Sequence, residues 1–130
     1  MAENLTFELV SPARKLASAQ ADAVTIPGME GDLTAMVTHA PFLTTLRPGF
    51  VVVRNGVGEQ RYFVTGGFAE ISEDTVSVLA EEAVEESTVD ADWLDARLAE
   101  AEQALEDAPT NRKQAARQRV DDLTTLRAGY

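Results

Sequence analysis

The sequence contains no cysteine and only one histidine, His39. Without thiols there is no disulfide framework and no thiolate metal site, and one imidazole cannot build a Cys–His pair or a multi-histidine metal constellation. The lack of cysteine fits a cytosol-facing chain. Aromatic residues make up 6% of the 130 residues, with Trp93 the sole tryptophan. Positive charge is also scarce: 11 Lys and Arg against 22 Asp and Glu give a net charge of -11 at pH 7. That balance argues against nucleic acid and against adhesion to anionic lipid. No apolar run approaches the roughly 20 residues of a membrane span, so direct lipid insertion is not expected. The first residues, Met-Ala-Glu-Asn-Leu-Thr, match neither a signal peptide nor an Arg-rich transit peptide.

Catalytic grammar is missing as well. There is no G-x-S-x-G elbow, no G-x-x-x-x-G-K-[ST] loop and no G-x-G-x-x-G turn, so Gly28 and Gly31 make no phosphate cradle. His39 lies in the extended pre-proline stretch Thr38-His39-Ala40-Pro41 and reads as a loop or packing residue. Glu81, Glu82, Glu85 and Glu86 lack the glycine and the Asp/Asn ladder of a calcium loop and read as a solvated face. Nothing in the sequence brings Asp32 and Glu70 together as an acid–base pair. No catalytic residue, no cofactor and no metal is expected.

What is present is a foldable chain, 45% hydrophobic and 25% charged. Leu5, Phe7 and Leu9 alternate with Thr6, Glu8 and Val10, the period of a strand. A weaker alternation runs as one stretch from Leu16 to Ile26 and stops at Pro27-Gly28. Phe50 to Val53 is entered through Pro48-Gly49 and left through Asn55-Gly56, a hairpin signal that leads to Tyr62-Phe63-Val64. Phe68, Ala69 and Ile71 follow Gly66-Gly67, and Thr75 to Leu79 alternates again after Glu73-Asp74. Short strands at this spacing predict a β-sandwich or flattened barrel over residues 1–86.

The period changes after Ser87-Thr88. Leu94, Leu98, Ala101, Leu105 and Ala108 share one helical face, with Ser87, Thr88 or Asp90 as the possible cap. Pro109 breaks the pattern and Thr110 or Asn111 can cap a second helix, whose stripe is Ala116, Val120, Leu123 and Leu126. The expectation for residues 87–130 is an antiparallel helical hairpin. Acids on the first helix (Asp95, Glu100, Glu102, Glu106, Asp107) face a basic second helix (Arg112, Lys113, Arg117, Arg119), though solvated faces explain most of them equally well. Two helices of this length bury too little to offset their ordering entropy, so the hairpin is expected to dock on the β domain or on another protein.

Several ordered stretches of the first domain carry a resemblance. They are Val24-Thr25-Ile26-Pro27-Gly28, Gly31-Asp32-Leu33, His39-Ala40-Pro41 with Leu43 and Leu46, and Pro48-Gly49. Val64-Thr65-Gly66-Gly67-Phe68-Ala69-Glu70 and Val76-Ser77-Val78-Leu79-Ala80 continue the series. In order and spacing this set resembles the ε subunit of bacterial and chloroplast F-type ATP synthases, and a two-helix tail follows as in that family. The resemblance implies a ten-stranded β-sandwich at the foot of the central rotor stalk, bridging the γ subunit and the ring of c subunits. It implies a peripheral protein on the cytoplasmic face of the bacterial inner membrane, as part of F1. By position, Asp32 matches the acid that faces the c ring, with Glu30, Gly31, His39 and Phe42 framing the same end. Asp32 stands where Glu is more usual, and Thr34 to Thr38 lacks the family's common glycine before the His.

The resemblance also makes the tail a regulatory element that hinders ATP hydrolysis by reaching transiently toward the α and β subunits. Trp93, Leu94, Leu98, Arg112, Arg117, Arg119 and Leu123 are the expected regulatory-helix residues. Some family members bind ATP through a motif of Ile or Leu, Asp, two variable residues, Arg and Ala. Here Val89-Asp90-Ala91-Asp92-Trp93-Leu94 puts Trp93 in the Arg position, so tight ATP binding is not expected. The alternative reading is a ligand-binding β-sandwich module with a helical oligomerisation tail. It wants exposed aromatics, of which the sequence has few.

Overall fold

Leu5, Phe7 and Leu9 are fully buried while Thr6, Glu8 and Val10 between them are partly exposed, so the period of two becomes strand β1 (Leu5–Val10). The computed structural model describes residues 4–37, 40–56 and 58–130, which fall into two units divided between Glu86 and Ser87. The first unit continues with β2 (Lys15–Ala21), β3 (Ala23–Gly28), β4 (Gly31–Met36), β5 (Phe42–Leu46) and β6 (Gly49–Asn55). It ends with β7 (Gly58–Val64), β8 (Gly67–Ile71), β9 (Thr75–Ala80) and β10 (Ala83–Glu85).

The strands follow the order β10-β7-β6-β3-β5-β8-β9-β1-β2, with β4 on β3. Two layers result, β4-β3-β6-β7-β10 and β5-β8-β9-β1-β2. They share a corner where β3 pairs with β6 through Ala23–Thr25 and passes its edge to β5 at Gly28–Leu46. Among the described residues all strand pairs are antiparallel except β1 with β9. The single strand expected over Leu16–Ile26 is two, because the chain turns from one layer to the other at Asp22. There the Asp22 N–H donates to Arg54 O at 2.8 Å and Asp22 Oδ2 accepts the Gly56 N–H at 2.7 Å. The turn after β6 also shifts by one residue from the sequence reading. Asn55 is the last strand residue, paired with Gly58, and the turn begins at Gly56.

The inward positions of both layers form one core. Phe7, Leu9, Val24, Ile26, Val51, Val64, Ile71, Val76 and Val78 are all buried there, and Tyr62 stacks on Phe7 with centroids 6.3 Å apart. Each such side chain contributes roughly 1.5–3 kcal/mol of burial. The Tyr62 hydroxyl reaches Gln60 Oε1 at 3.0 Å, and burial followed by the Glu85 charge raises its pKa above the ordinary 10.0.

The second unit holds α1 (Ala91–Asp107) and α2 (Lys113–Ala128), packed against each other and joined through Ala108 to Arg112. Asp90 is the N-cap of α1, its Oδ1 accepting the Trp93 N–H at 2.8 Å, an interaction worth about 1 kcal/mol. No side chain caps α2. Thr110–Arg112 form a 3-10 turn that leads into it directly, so the cap expected from Thr110 or Asn111 is replaced by backbone. Among the described residues no helix is long and apolar enough to cross a membrane.

Candidate functional site

The β3–β4 connection is a two-residue turn. Gly28 pairs with Gly31, leaving Met29 and Glu30 as the turn. Gly31 has φ 132°, a conformation that side chains rarely adopt, and a Cβ on Gly28 would fall 2.8 Å from Gly31 O. The neighbouring strand braces the turn: the Met29 N–H donates to Thr45 O at 3.0 Å and the Arg47 N–H to Pro27 O at 2.9 Å. Met29, Glu30, Gly31 and Asp32 are all exposed. Asp32 was expected on an exposed loop, in a stretch without alternation. It is exposed, but as the second residue of β4, opposite Pro27, with its carboxylate outward because Leu33 takes the half-buried position.

Phe42 opens β5 opposite Ile71 and is exposed. Glu30, Gly31 and Asp32 are thus gathered on one rigid turn beside β5, while Phe42 sits four residues along that strand from the Gly28–Leu46 pair. His39 lies outside the described residues. Glu70 is on β8 opposite Leu43 and Ser77, whereas Asp32 backs onto Pro27 in the other layer. Among the described residues no group of three or more His, Cys, Asp or Glu could hold a metal ion.

In the hairpin, Leu94 is 0% and Leu123 2% exposed, and these two with Ala101 form its buried seam. Leu98 is only partly buried, as are Val120 and Leu126. Arg112 and Arg117 are exposed and Arg119 is partly buried. Lys113 caps α1, its Nζ donating to Leu105 O at 2.9 Å and Glu106 O at 3.3 Å. A cation on the last carbonyls of a helix satisfies orphan acceptors and complements the helix dipole.

An ion pair joins the helices at their other end, where Arg127 Nε is 2.7 Å from Asp95 Oδ1. Arg127 was absent from the sequence reading, which took its cations from residues 112–119. Its position 32 residues from Asp95 gives no local signal, and only the antiparallel register reveals it. Trp93 carries the Arg97 guanidinium over its ring at 4.3 Å from the centroid.

Residues 4–86 match the family model described as the ATP synthase delta/epsilon chain, beta-sandwich domain. The chain belongs to this family. An ATP synthase epsilon chain of Cereibacter sphaeroides is 47% identical over 128 residues, covering 98% of this chain and 97% of its own length. The epsilon chain of Parvibaculum lavamentivorans is 47% identical, covering 98% of each. That of Ruegeria is 60% identical over 84 residues, 65% of this chain and 61% of its own. A chain in the Euglena gracilis mitochondrial ATP synthase structure of OSCP, F1 and c-ring superposes with a TM-score of 0.75 at 22% identity. It covers 99% of this chain and 82% of the other, a likeness of fold. The ten strands followed by two helices are therefore the epsilon architecture. Proteins of this kind are non-catalytic subunits, and so is this chain.

Proposed function

We propose that this epsilon chain is a central-stalk coupling subunit of a proton-translocating F-type ATP synthase. In that reading residues 1–86 bridge the γ subunit and the c ring. Residues 87–130 regulate ATP hydrolysis by engaging the α and β subunits transiently, through helices that carry Trp93, Leu94, Leu98, Arg112, Arg117, Arg119 and Leu123. The protein is then peripheral, held as part of F1 on the cytoplasmic face of the bacterial inner membrane.

The observation that carries the proposal is near-full-length likeness to epsilon chains at 47% identity. The braced turn at Glu30, Gly31 and Asp32 supports the ring-facing role. Its backbone is held by β5 while its carboxylates stay in solvent, so a partner meets them already positioned. The polar loops of a c ring are the partner that reading assigns to them, with Phe42 at the edge of the same region.

Reconstitution tests this. Membranes stripped of their own epsilon chain and loaded with F1 containing this one should recover ATP-driven proton pumping. Failure to associate with γ or with the ring overturns the proposal. Asp32→Ala should keep folding stability within about 0.5 kcal/mol of the parent while weakening ring binding. A large stability loss with normal ring binding reverses the assignment of Asp32.

A further inference from the structure

Asn55-Gly56 is the one Asn-Gly pair in the sequence. Asparagine is a thermolabile residue, and a following glycine makes it most reactive, because no Cβ shields the backbone nitrogen behind it. That nitrogen attacks the asparagine Cγ, the Cγ–Nδ2 bond breaks, and ammonia leaves carrying the amide proton. Water then opens the resulting succinimide at one carbonyl or the other, giving aspartate or isoaspartate. Asn55 and Gly56 are both exposed, so water reaches them.

The fold holds this pair away from the reactive geometry. Asn55 is a strand residue paired with Gly58, and an extended backbone turns the next nitrogen away from the side chain. The Asn55 Nδ2 donates to Gln20 O at 2.8 Å, which fixes the carboxamide and retains the leaving group. The Gly56 N–H, the nucleophile of the reaction, donates to Asp22 Oδ2 at 2.7 Å. We propose that Asn55 is a deamidation site and that Asp22 is the residue that keeps it closed. A carboxylate at neutral pH is an acceptor only, and far too weak a base to take an amide proton. Its bond to the Gly56 N–H stabilises the protonated nitrogen, and its charge opposes the anion that must form there. Asp22 is held in turn, its own N–H donating to Arg54 O at 2.8 Å. Reaction unties this corner. It sets a second carboxylate beside Asp22 and leaves Gln20 O without its donor, and isoaspartate adds a methylene to the backbone at the end of β6. The turn from β2 to β3 then loses its anchor on β6.

The experiment incubates the full chain in warm, mildly alkaline buffer and follows residue 55 by peptide mass spectrometry, with a free peptide of residues 54–58 as reference. The parent should deamidate far more slowly than the peptide. Asp22→Ala should speed the reaction by about tenfold or more, the effect of removing a charge-assisted hydrogen bond that must otherwise break before attack. Asp22→Asn, whose Oδ1 still accepts the Gly56 N–H but carries no charge, should fall between the two. Ile71→Val, a core change away from this corner, measures what general loss of stability does and should stay near the parent rate. A parent that reacts as fast as the peptide, or an Asp22→Ala chain that reacts no faster than the parent, overturns the proposal. Equal acceleration by Ile71→Val and Asp22→Ala also overturns it, since opening of the whole sandwich would then set the rate.

Discussion

Arg127 donates its Nε–H to Asp95 Oδ1 at 2.7 Å and reaches Oδ2 with Nη2 at 3.5 Å, joining the last turn of α2 to the first turns of α1. With Lys113 capping the far end of α1, each end of the hairpin is closed by one cation. The hydrogen bond to Asp95, then the Asp95 charge, raise the Arg127 pKa above its ordinary value. A raised folded pKa gives a contribution that is complete below the ordinary arginine value and is lost only as pH rises through the higher one. On the arginine side the clasp is therefore constant with pH across the neutral range, and salt is what weakens it. Arg127→Ala should speed amide hydrogen exchange in Asp95–Leu98 and in the last turn of α2. In about 1 M salt the parent should approach the variant. Identical exchange in the two proteins at low salt would show that the clasp holds nothing.

Gly67 supplies a sharper test of the sandwich. It has φ 136°, and a Cβ there would lie 2.1 Å from Leu79 O and 2.9 Å from Ala80 Cα. β8 and β9 are therefore in register at Gly67–Ala80 only because the side chain is absent. Gly67→Ala should cost about 2–4 kcal/mol in urea unfolding, from backbone strain and a forced separation of the strands. Gly58→Ala, whose Cβ meets only Asn55 O at 3.4 Å, is the control and should cost under about 1 kcal/mol. Equal losses from the two changes would refute this account of Gly67.

The alternation of Leu5, Phe7 and Leu9 and of Val76 and Val78 made the strands legible, because those positions face a core and burial imposes the period. The break at Asp22 was not legible. Its hydrogen bond to the Gly56 N–H spans 34 residues, and local alternation continues through the corner. Phe68 was readable as strand but not as outward, since Ala69 beside it is the smaller side chain and yet takes the core. In the hairpin the heptad-like stripe located Leu94, Ala101 and Leu123 correctly. Leu98 and Leu105 lie on the margin of that face, where period alone does not measure depth. The turn of Glu30, Gly31 and Asp32 was visible through its glycines, whereas its bracing by Thr45 and Arg47 depends on the fold.

Tyr62 makes the sandwich sensitive to alkali. Burial and then Glu85 push its phenol above the ordinary value of 10.0, because ionising it inside the core beside a carboxylate is unfavourable. The folded pKa is the higher one, so the unfolded chain releases this proton first as pH rises. Stability is full below about pH 10 and falls as pH rises through the folded value. Melting temperatures measured from pH 8 to strongly alkaline conditions should decline more steeply for the parent than for Tyr62→Phe. That variant keeps the ring stacked on Phe7 and loses the hydroxyl bonded to Gln60. Superimposable pH profiles would mean that Tyr62 does not titrate on unfolding.

The start of α1 argues against a nucleotide site in the tail. A triphosphate site of the kind some epsilon chains carry needs an Arg held where its planar cation can pair with phosphate oxygens. In this chain Trp93 occupies that position, and its backbone N–H is already taken by the Asp90 carboxylate at 2.8 Å. Arg97 is the nearest arginine along the helix. Its guanidinium lies over the Trp93 ring at 4.3 Å, one turn away, while Asp95 turns to Arg127. Asp95 and Arg97 therefore point to different faces, as the rotation of about 100° per residue requires. Freeing Arg97 for a phosphate would surrender a cation–π contact of about 0.5–1 kcal/mol. Asp90 and Asp92 would then confront the incoming anion. Calorimetric titration of the full chain with ATP should show no binding at micromolar concentrations, and Trp93 fluorescence should not change. Micromolar affinity that disappears on Arg97→Ala would show that Arg97 leaves the indole for the phosphates, and this reading of the tail would fail.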